Sequence, residues 1–233
     1  MGSTVDLFLT AIVAPAALWI LYHRYKDRFR PEPLLAIVTT YLLGAAAGFV
    51  ALRAFAIGGW LGLPDNPFAL AEADKTAFFA YALLFAAPLE EVFKFLPFWL
   101  VCLRFRAFDE EIDGIVYASV VGLGFASYEN IIYMQFAEGL ELYGRAFATP
   151  LTHAMFASIW GYTCGSARHR GVPLLKPAVV GLALSFAAHG VFNFLTLATH
   201  PAVRPLTALL FLGIWIWRIR LIERLHGRSQ VGT

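Results

Sequence analysis

Seven long apolar segments follow one another along this chain of 233 residues and constrain its fold more than any other feature. They cover residues 5–22, 34–57, 76–103, 114–137, 151–167, 177–197 and 206–222. A helix needs about 20 apolar residues to cross the hydrocarbon core of a bilayer. With 59% hydrophobic and 15% charged residues, the chain is also too apolar for a soluble domain. The segments therefore predict an all-α fold, a polytopic membrane bundle of about seven transmembrane helices.

The distribution of basic residues predicts the orientation of this bundle. Thirteen of the 18 Lys and Arg residues lie after the first, third and fifth segments or at the end of the seventh. The connections on the other side hold only Lys75, Arg145 and Arg204. Because short cytoplasmic loops are enriched in Lys and Arg, we expect the N-terminus outside and the C-terminus in the cytoplasm.

The connections between the apolar segments are short, which predicts a single integral-membrane domain over residues 1–233. The longest connection, GGWLGLPDNPFALAEADK, has about 18 residues. The net charge of +2 gives no reason to expect a nucleic-acid partner, because topology and anionic lipid explain basic loops beside a membrane. Cys102 and Cys164 lie near predicted cytoplasmic ends, so no disulfide is expected.

Three other features have structural interpretations. The acidic stretch FDEEIDG at 108–114 lies where the fourth segment begins, and carboxylates favour a helix N-terminus. Arg53 lies about one turn from the end of the second segment, where a long side chain can reach the headgroups. Gly44 to Gly48 form a face of small residues that we expect to pack the second helix inside the bundle.

Polar residues inside four of the apolar segments lack such an explanation. They are Glu90, Glu91 and Lys94 in the third segment, Glu129 and Asn130 in the fourth, His153 in the fifth, and His189 and Asn193 in the sixth. One carboxylate or imidazole of each segment lies 12 to 15 residues from the predicted cytoplasmic end, or roughly 18 to 22 Å at 1.5 Å per residue. Four helices are thus predicted to deliver these groups to one level, in the outer half of a core about 30 Å thick.

Two histidines and a carboxylate at one depth are typical of a catalytic zinc site. His153, His189 and Glu129 would form a His₂Glu ligand set with an open fourth position for water. Zinc is therefore the cofactor that the sequence predicts.

The third segment supplies the remaining chemistry. A metal-bound water that attacks a carbonyl needs a nearby carboxylate as general base, and Glu90 and Glu91 are the candidates. Adjacent residues on a helix point about 100° apart, so only one should face the site, and the other can pair with Lys94. Asn193 lies one turn from His189, where its amide could donate to a developing oxyanion.

Four motifs in these segments resemble those of the PrsW intramembrane proteases, bacterial relatives of the CAAX prenyl protease and bacteriocin-processing superfamily. They are EEVFK at 90–94, GFASYEN at 124–130, HAMFAS at 153–158 and HGVFN at 189–193. The resemblance covers the third to sixth segments, about residues 76–197, and departs from the wider superfamily in having Lys94 where arginine is usual.

The resemblance implies a helical membrane protease in the bacterial inner membrane that cleaves membrane-associated proteins, with anti-sigma factors among the family's substrates. Carried over by position, Glu90 would activate water and Asn193 would support the oxyanion. His153 and His189 would be essential, Glu129 and Asn130 occupy the family's EN positions, and Lys94 and Asn130 have supporting roles.

Three alternatives remain open at this stage. A metal-free protease would use a glutamate and histidine pair at the same site. A proton- or ion-coupled transporter also uses intramembrane Glu, Lys and His residues, although a transport path should place them at several depths. A membrane scaffold would bury the same groups only as hydrogen-bond bridges between helices.

Overall fold

The computed structural model describes residues 6, 8–27, 30–64, 66–135, 139–197, 202–203 and 205–231. Within these ranges the regular structure is entirely helical. The α-helices are α1 (Ala14–Lys26), α2 (Leu34–Trp60), α3 (Pro67–Ala73), α4 (Lys75–Tyr81), α5 (Ala87–Leu100), α6 (Glu111–Tyr133), α7 (Gly139–His169), α8 (Leu175–Leu197) and α9 (Pro205–Val231). The predicted all-α fold is confirmed.

Five helical stretches in the described residues are long and apolar enough to cross a membrane. They are Leu34–Trp60, Lys75–Arg104, Glu111–Tyr133, Leu175–Leu197 and Pro205–Gly227. This supports a multi-pass membrane protein but does not confirm the predicted count of seven. The first predicted span corresponds to a π-helical stretch, Leu9–Val13, followed directly by α1, and its predicted start at residue 5 lies outside the described residues. The fifth corresponds to α7, whose sequence is more polar. The orientation of the bundle stays a prediction.

The centre of the bundle is α6. Of its most apolar stretch 78% is buried, against 33% or less for the other four candidate spans. Glycines let its neighbours approach closely: a Cβ on Gly122 would lie 2.8 Å from the His153 carbonyl oxygen of α7, and one on Gly44 of α2 would collide with the Val121 carbonyl. Small residues thus pack α2 and α7 directly against α6, and the predicted packing role of Gly44 is confirmed.

The third predicted segment is not one continuous α-helix. A π-helical stretch, Ala82–Ala86, joins α4 to α5, and Pro88 follows in the first turn of α5, where its missing N–H is tolerated. A Cβ on Gly190 of α8 would lie 2.8 Å from the Leu83 Cα. The absence of a side chain at Gly190 therefore lets α8 bring His189 close to the start of α5.

The connection before this segment contains structure that the sequence reading did not anticipate. The seven-residue helix α3 lies within the stretch predicted as a long loop. Its start is capped by Asn66, whose side-chain oxygen accepts from the N–H groups of Phe68 and Ala69 at 3.0 and 3.1 Å. Proline at the first helical position, Pro67, is also typical of a helix start.

The acidic stretch at 108–114 begins α6, as predicted. Glu110 and Asp113 form a reciprocal capping box, and Asp113 Oδ2 also accepts from the Asp109 N–H at 2.7 Å. Two further carboxylates, Asp27 and Glu32, are buried beside it. Burial raises the pKa of Asp27 to about 7 and that of Glu32 to about 9, and the charge of Asp113 adds to both shifts.

Candidate active site

Six of the predicted site residues form one cluster between α5, α6, α7 and α8, which we call the Glu–His cluster; all are buried except Glu129, which is partly exposed. They are Glu90, Glu91, Lys94, Glu129, His153 and His189. Both histidine rings stack on phenylalanines, His153 on Phe125 at 5.5 Å and His189 on Phe156 at 4.8 Å between centroids. The two imidazoles meet edge to face at 5.4 Å. Aromatic packing therefore fixes the planes of both rings.

Glu91 is the anchor of the cluster. Its side chain is fully buried. Oε1 pairs with Lys94 Nζ and lies 2.9 Å from His189 Nδ1, while Oε2 accepts from the Trp160 indole N–H at 2.9 Å. With three donors on its two oxygens, this carboxylate holds α5, α7 and α8 together.

The adjacent residue, Glu90, lacks the donors that surround Glu91. Its Oε2 is buried and has no hydrogen-bond donor among the described residues. The same oxygen lies 3.6 Å from His189 Nε2. A buried carboxylate oxygen without a donor is rare, and this one is able to accept a proton or to bind a cation.

The hydrogen-bond partners assign opposite tautomers to the two histidines. Because the Glu91 carboxylate can only accept, His189 carries its proton on Nδ1 and turns the Nε2 lone pair toward Glu90. Lys94, paired with Glu91, is an ammonium that can only donate, so His153 Nδ1 accepts from it at 3.0 Å. The His153 proton is then on Nε2, 2.8 Å from Glu129 Oε2, although the two atoms are not aligned as a hydrogen bond.

A carboxylate and the two histidines of the cluster could hold a metal ion, but the carboxylate nearest to both histidines is not the one that the sequence predicts. One ligand atom each of Glu90, His153 and His189 lies within 4.8 Å of the others, whereas the sequence predicts Glu129 as the carboxylate. Glu129 Oε2 lacks a hydrogen-bond partner, as Glu90 Oε2 does. His189 already has the arrangement of a zinc ligand, with a carboxylate on its other nitrogen, whereas His153 must first lose its Nε2 proton.

The two asparagines lie apart from these contacts. Asn130 is 1% exposed, and its amide donates to the carbonyl oxygens of Ala11 and Ala146 at 3.4 Å, which ties α6 to the π-helical stretch Leu9–Val13 and to α7. Asn193 is half-buried on α8, and no hydrogen bond joins its side chain to the Glu–His cluster among the described residues. The predicted roles of both stay predictions.

Two residues near the cluster were not singled out in the sequence. Trp160 lies seven residues, or two helical turns, after His153, so the helical period could have placed both on one face of α7. Arg145 stacks on the Tyr133 ring at 3.5 Å, and its positive charge acts on Glu90 and Glu129. Nothing in the sequence around Arg145 marks this position.

Comparisons with a family model and with named proteins point to the same family. Residues 32–218 match the family model described as "PrsW family intramembrane metalloprotease". The chain is 32% identical to Protease PrsW of Oceanobacillus iheyensis over 96% of its own length and 98% of that protein. It is 30% identical to Protease PrsW of Geobacillus kaustophilus, over 95% and 93% of the two chains, and 27% identical to that of Bacillus subtilis, over 82% and 83%. No solved structure matches the chain.

Proposed function

The chain belongs to the PrsW family of intramembrane proteases, and from this premise and the Glu–His cluster we propose that it hydrolyses peptide bonds of membrane-associated proteins. Family membership and the named relatives support a membrane protease. We further propose that Glu90 activates the attacking water inside the membrane, at the place where four helices meet. Because the named relatives are bacterial, we place the protein in a bacterial cytoplasmic membrane.

One observation carries this proposal, the contrast between the two glutamates of α5. Glu91 is saturated by three donors, while Glu90 Oε2 is buried without any among the described residues. A general base needs a free lone pair within reach of the proton that it accepts. Only Glu90 of the pair meets this condition.

The residues of the cluster can perform the hydrolysis in two steps. Glu90 takes a proton from a water molecule, whose oxygen attacks the carbonyl carbon of the scissile peptide bond. The developing oxyanion accepts from the Asn193 amide or, when no metal is bound to His153, from the His153 Nε2–H. Glu90 then returns the proton to the leaving nitrogen as the C–N bond breaks, which releases an amine and a carboxylic acid that ionises in water.

Zinc would be held by His153, His189 and one carboxylate. Glu90 lies in the closest ligand group, but Glu129 Oε2 also lacks a hydrogen-bond partner among the described residues, and we assign the ligand role to Glu129 so that Glu90 stays free as the base. When bound, it would supply Lewis acidity to the attacking water and to the carbonyl. We expect Glu129→Gln to lower the zinc content of purified protein while Glu90→Gln preserves it. The reverse result would exchange the two roles, and full activity without stoichiometric metal would establish a glutamate and histidine mechanism.

The proposal is tested with the purified full chain in lipid vesicles. Single-span membrane polypeptides are added, and mass spectrometry identifies the cleavage products and the bond cut. We expect a cut within or beside the spanning segment. Proton movement into the vesicles without any product would instead indicate a coupled transporter.

A further inference from the structure

A buried arginine, Arg218, lies outside the Glu–His cluster. It is found where the end of α1 meets the first part of α6 and the middle of α9. The Arg218 side chain of α9 is 1% exposed, and its Nη2 donates to the Ser119 hydroxyl at 3.2 Å. Its Nε and Nη1 have no acceptor among the described residues. No Asp or Glu of the described part of the chain pairs with it. Burying a guanidinium in this way is unfavourable unless something else neutralises it.

Other polar atoms beside Arg218 are also unsatisfied. The Tyr22 hydroxyl lies next to the guanidinium, but no aligned hydrogen bond joins them and the hydroxyl has no other partner in the described residues. His23, which is 1% exposed, uses Nδ1 to donate to the Trp19 carbonyl oxygen at 2.6 Å. Its Nε2 is therefore an unused acceptor close to the same charge. Four polar atoms from two helices thus lack partners in one place.

These atoms define the chemistry of a ligand. The guanidinium N–H groups that lack an acceptor can donate to the oxygens of a phosphate group, and the tyrosine hydroxyl can donate to a further oxygen. The free His23 nitrogen suits a hydroxyl on the same group or beside it. We propose that Arg218, Tyr22 and His23 form a binding site for a phosphate group, which we call the Arg218 site. Ser119, whose hydroxyl accepts from Arg218 and donates to the Ala154 carbonyl oxygen, positions the guanidinium.

The position of the site favours a phospholipid headgroup as the source of that phosphate. Ser119 lies eight residues after the start of α6, or about 12 Å along the helix, and Tyr22 is one turn from the end of α1. Tyr22 stacks on Trp215 at 5.6 Å and meets Trp19 edge to face at 5.8 Å. Trp and Tyr are enriched at the level of the headgroups. Basic residues on the same helices, such as Arg220, attract anionic lipid there.

The test compares two arginines of one helix that differ in burial. Arg218→Gln and the exposed Arg220→Gln remove the same charge, so they weaken general attraction to anionic lipid equally. The full chain in neutral detergent is titrated with phosphatidylglycerol, phosphatidylcholine or inorganic phosphate at constant ionic strength, and its unfolding temperature is measured. We expect phosphatidylglycerol to stabilise the wild type and Arg220→Gln alike, and Arg218→Gln to need at least about tenfold more lipid.

The other outcomes also decide the question. Stabilisation by inorganic phosphate alone, lost in Arg218→Gln, supports the site but assigns it to free phosphate. An equal response of the two variants to every ligand overturns the proposal. If Arg218→Gln does not fold, Tyr22→Phe and Ser119→Ala keep the charge and remove its neighbours. Lipid affinity that is unchanged in both would then overturn it, and an affinity lowered several-fold in both would support it. None of these readouts depends on protease activity.

Discussion

At the scale of single residues, two adjacent glutamates have opposite roles because of what other helices place around them. The sequence predicts that only one of Glu90 and Glu91 faces the site, since neighbours on a helix point about 100° apart. It cannot say which one, because that depends on donors from other helices. Trp160 and His189 supply those donors to Glu91. Three predicted site residues on other helices, Glu129, His153 and His189, were found in the same cluster as this pair. The sequence did not predict that Glu90, and not Glu129, would join the two histidines in the closest group of possible metal ligands.

The anchoring role of Glu91 leads to a stability prediction. Glu91→Gln leaves the Lys94 ammonium without a counter-charge in a fully buried position. Breaking a buried pair from one side costs about 3–5 kcal/mol, and we expect a loss of that order in the free energy of unfolding measured in mixed micelles. The double variant Glu91→Gln with Lys94→Met removes both charges and should recover much of the loss. A double variant as unstable as the single one would show that the pair is not the cause.

Trp160 acts through Glu91. Trp160→Phe keeps an aromatic ring but removes the indole donor to Oε2, and a hydrogen bond to a charged group is worth about 1.5–3 kcal/mol. We expect a loss of stability in this range, together with a fall in kcat for a membrane substrate. The matched control is Trp217→Phe, at a position that is 37% exposed. Equal losses in the two variants would contradict the positioning role.

At the scale of helices, the sequence shows where the long segments lie but not where they break. The predicted segment 177–197 nearly coincides with α8, because apolar runs and basic ends mark such a helix. The predicted segment 76–103 contains α4, the π-helical stretch and α5. A change from α- to π-helical bonding leaves no composition signal, so an uninterrupted apolar run conceals it. π-Helical stretches are frequent at functional sites, and this one ends about one turn before the two glutamates.

The close contact between α8 and this stretch can be tested with one methyl group. In Gly190→Ala the new Cβ would lie 2.8 Å from the Leu83 Cα, which must push α8 and His189 away from α5. We expect at least about tenfold lower activity, since small misplacements of catalytic groups are costly. Gly213→Ala on α9 meets nothing within 4 Å and should leave activity unchanged. An active Gly190→Ala enzyme would mean that the helix spacing does not position His189.

At the scale of the whole molecule, the orientation in the membrane rests on charge alone. The placement of Lys and Arg predicts that a reporter fused after His226 is cytoplasmic and that one inserted near Asp65, which lies outside the described residues, is external. Reporter activity in the two fusions checks this directly. The opposite result for both would reverse the orientation and move the active site toward the other leaflet.

The buried acids at the start of α6 predict how stability depends on pH. Asp27 and Glu32 have raised pKa values in the folded protein, about 7 and about 9, against roughly 4 in an unfolded chain. The folded state therefore retains protons that the unfolded state releases as pH rises, so stability should be highest near pH 4 and fall progressively toward pH 9. Glu32→Gln should flatten this profile and raise the unfolding temperature at pH 8. Glu72→Gln, at an exposed position, is the control and should follow the wild type.

The proposed hydrolysis depends on Glu90 as the group that activates water. The most direct measurement is the rate of cleavage of one membrane polypeptide, in the same vesicles, by the wild type, Glu90→Gln and the exposed control Glu72→Gln. Loss of a general base lowers a rate by about 10²–10⁴. We expect a loss of this size in Glu90→Gln, in a protein that still folds, and the wild-type rate in Glu72→Gln. Cleavage by Glu90→Gln at a rate close to that of the wild type would contradict the proposed mechanism.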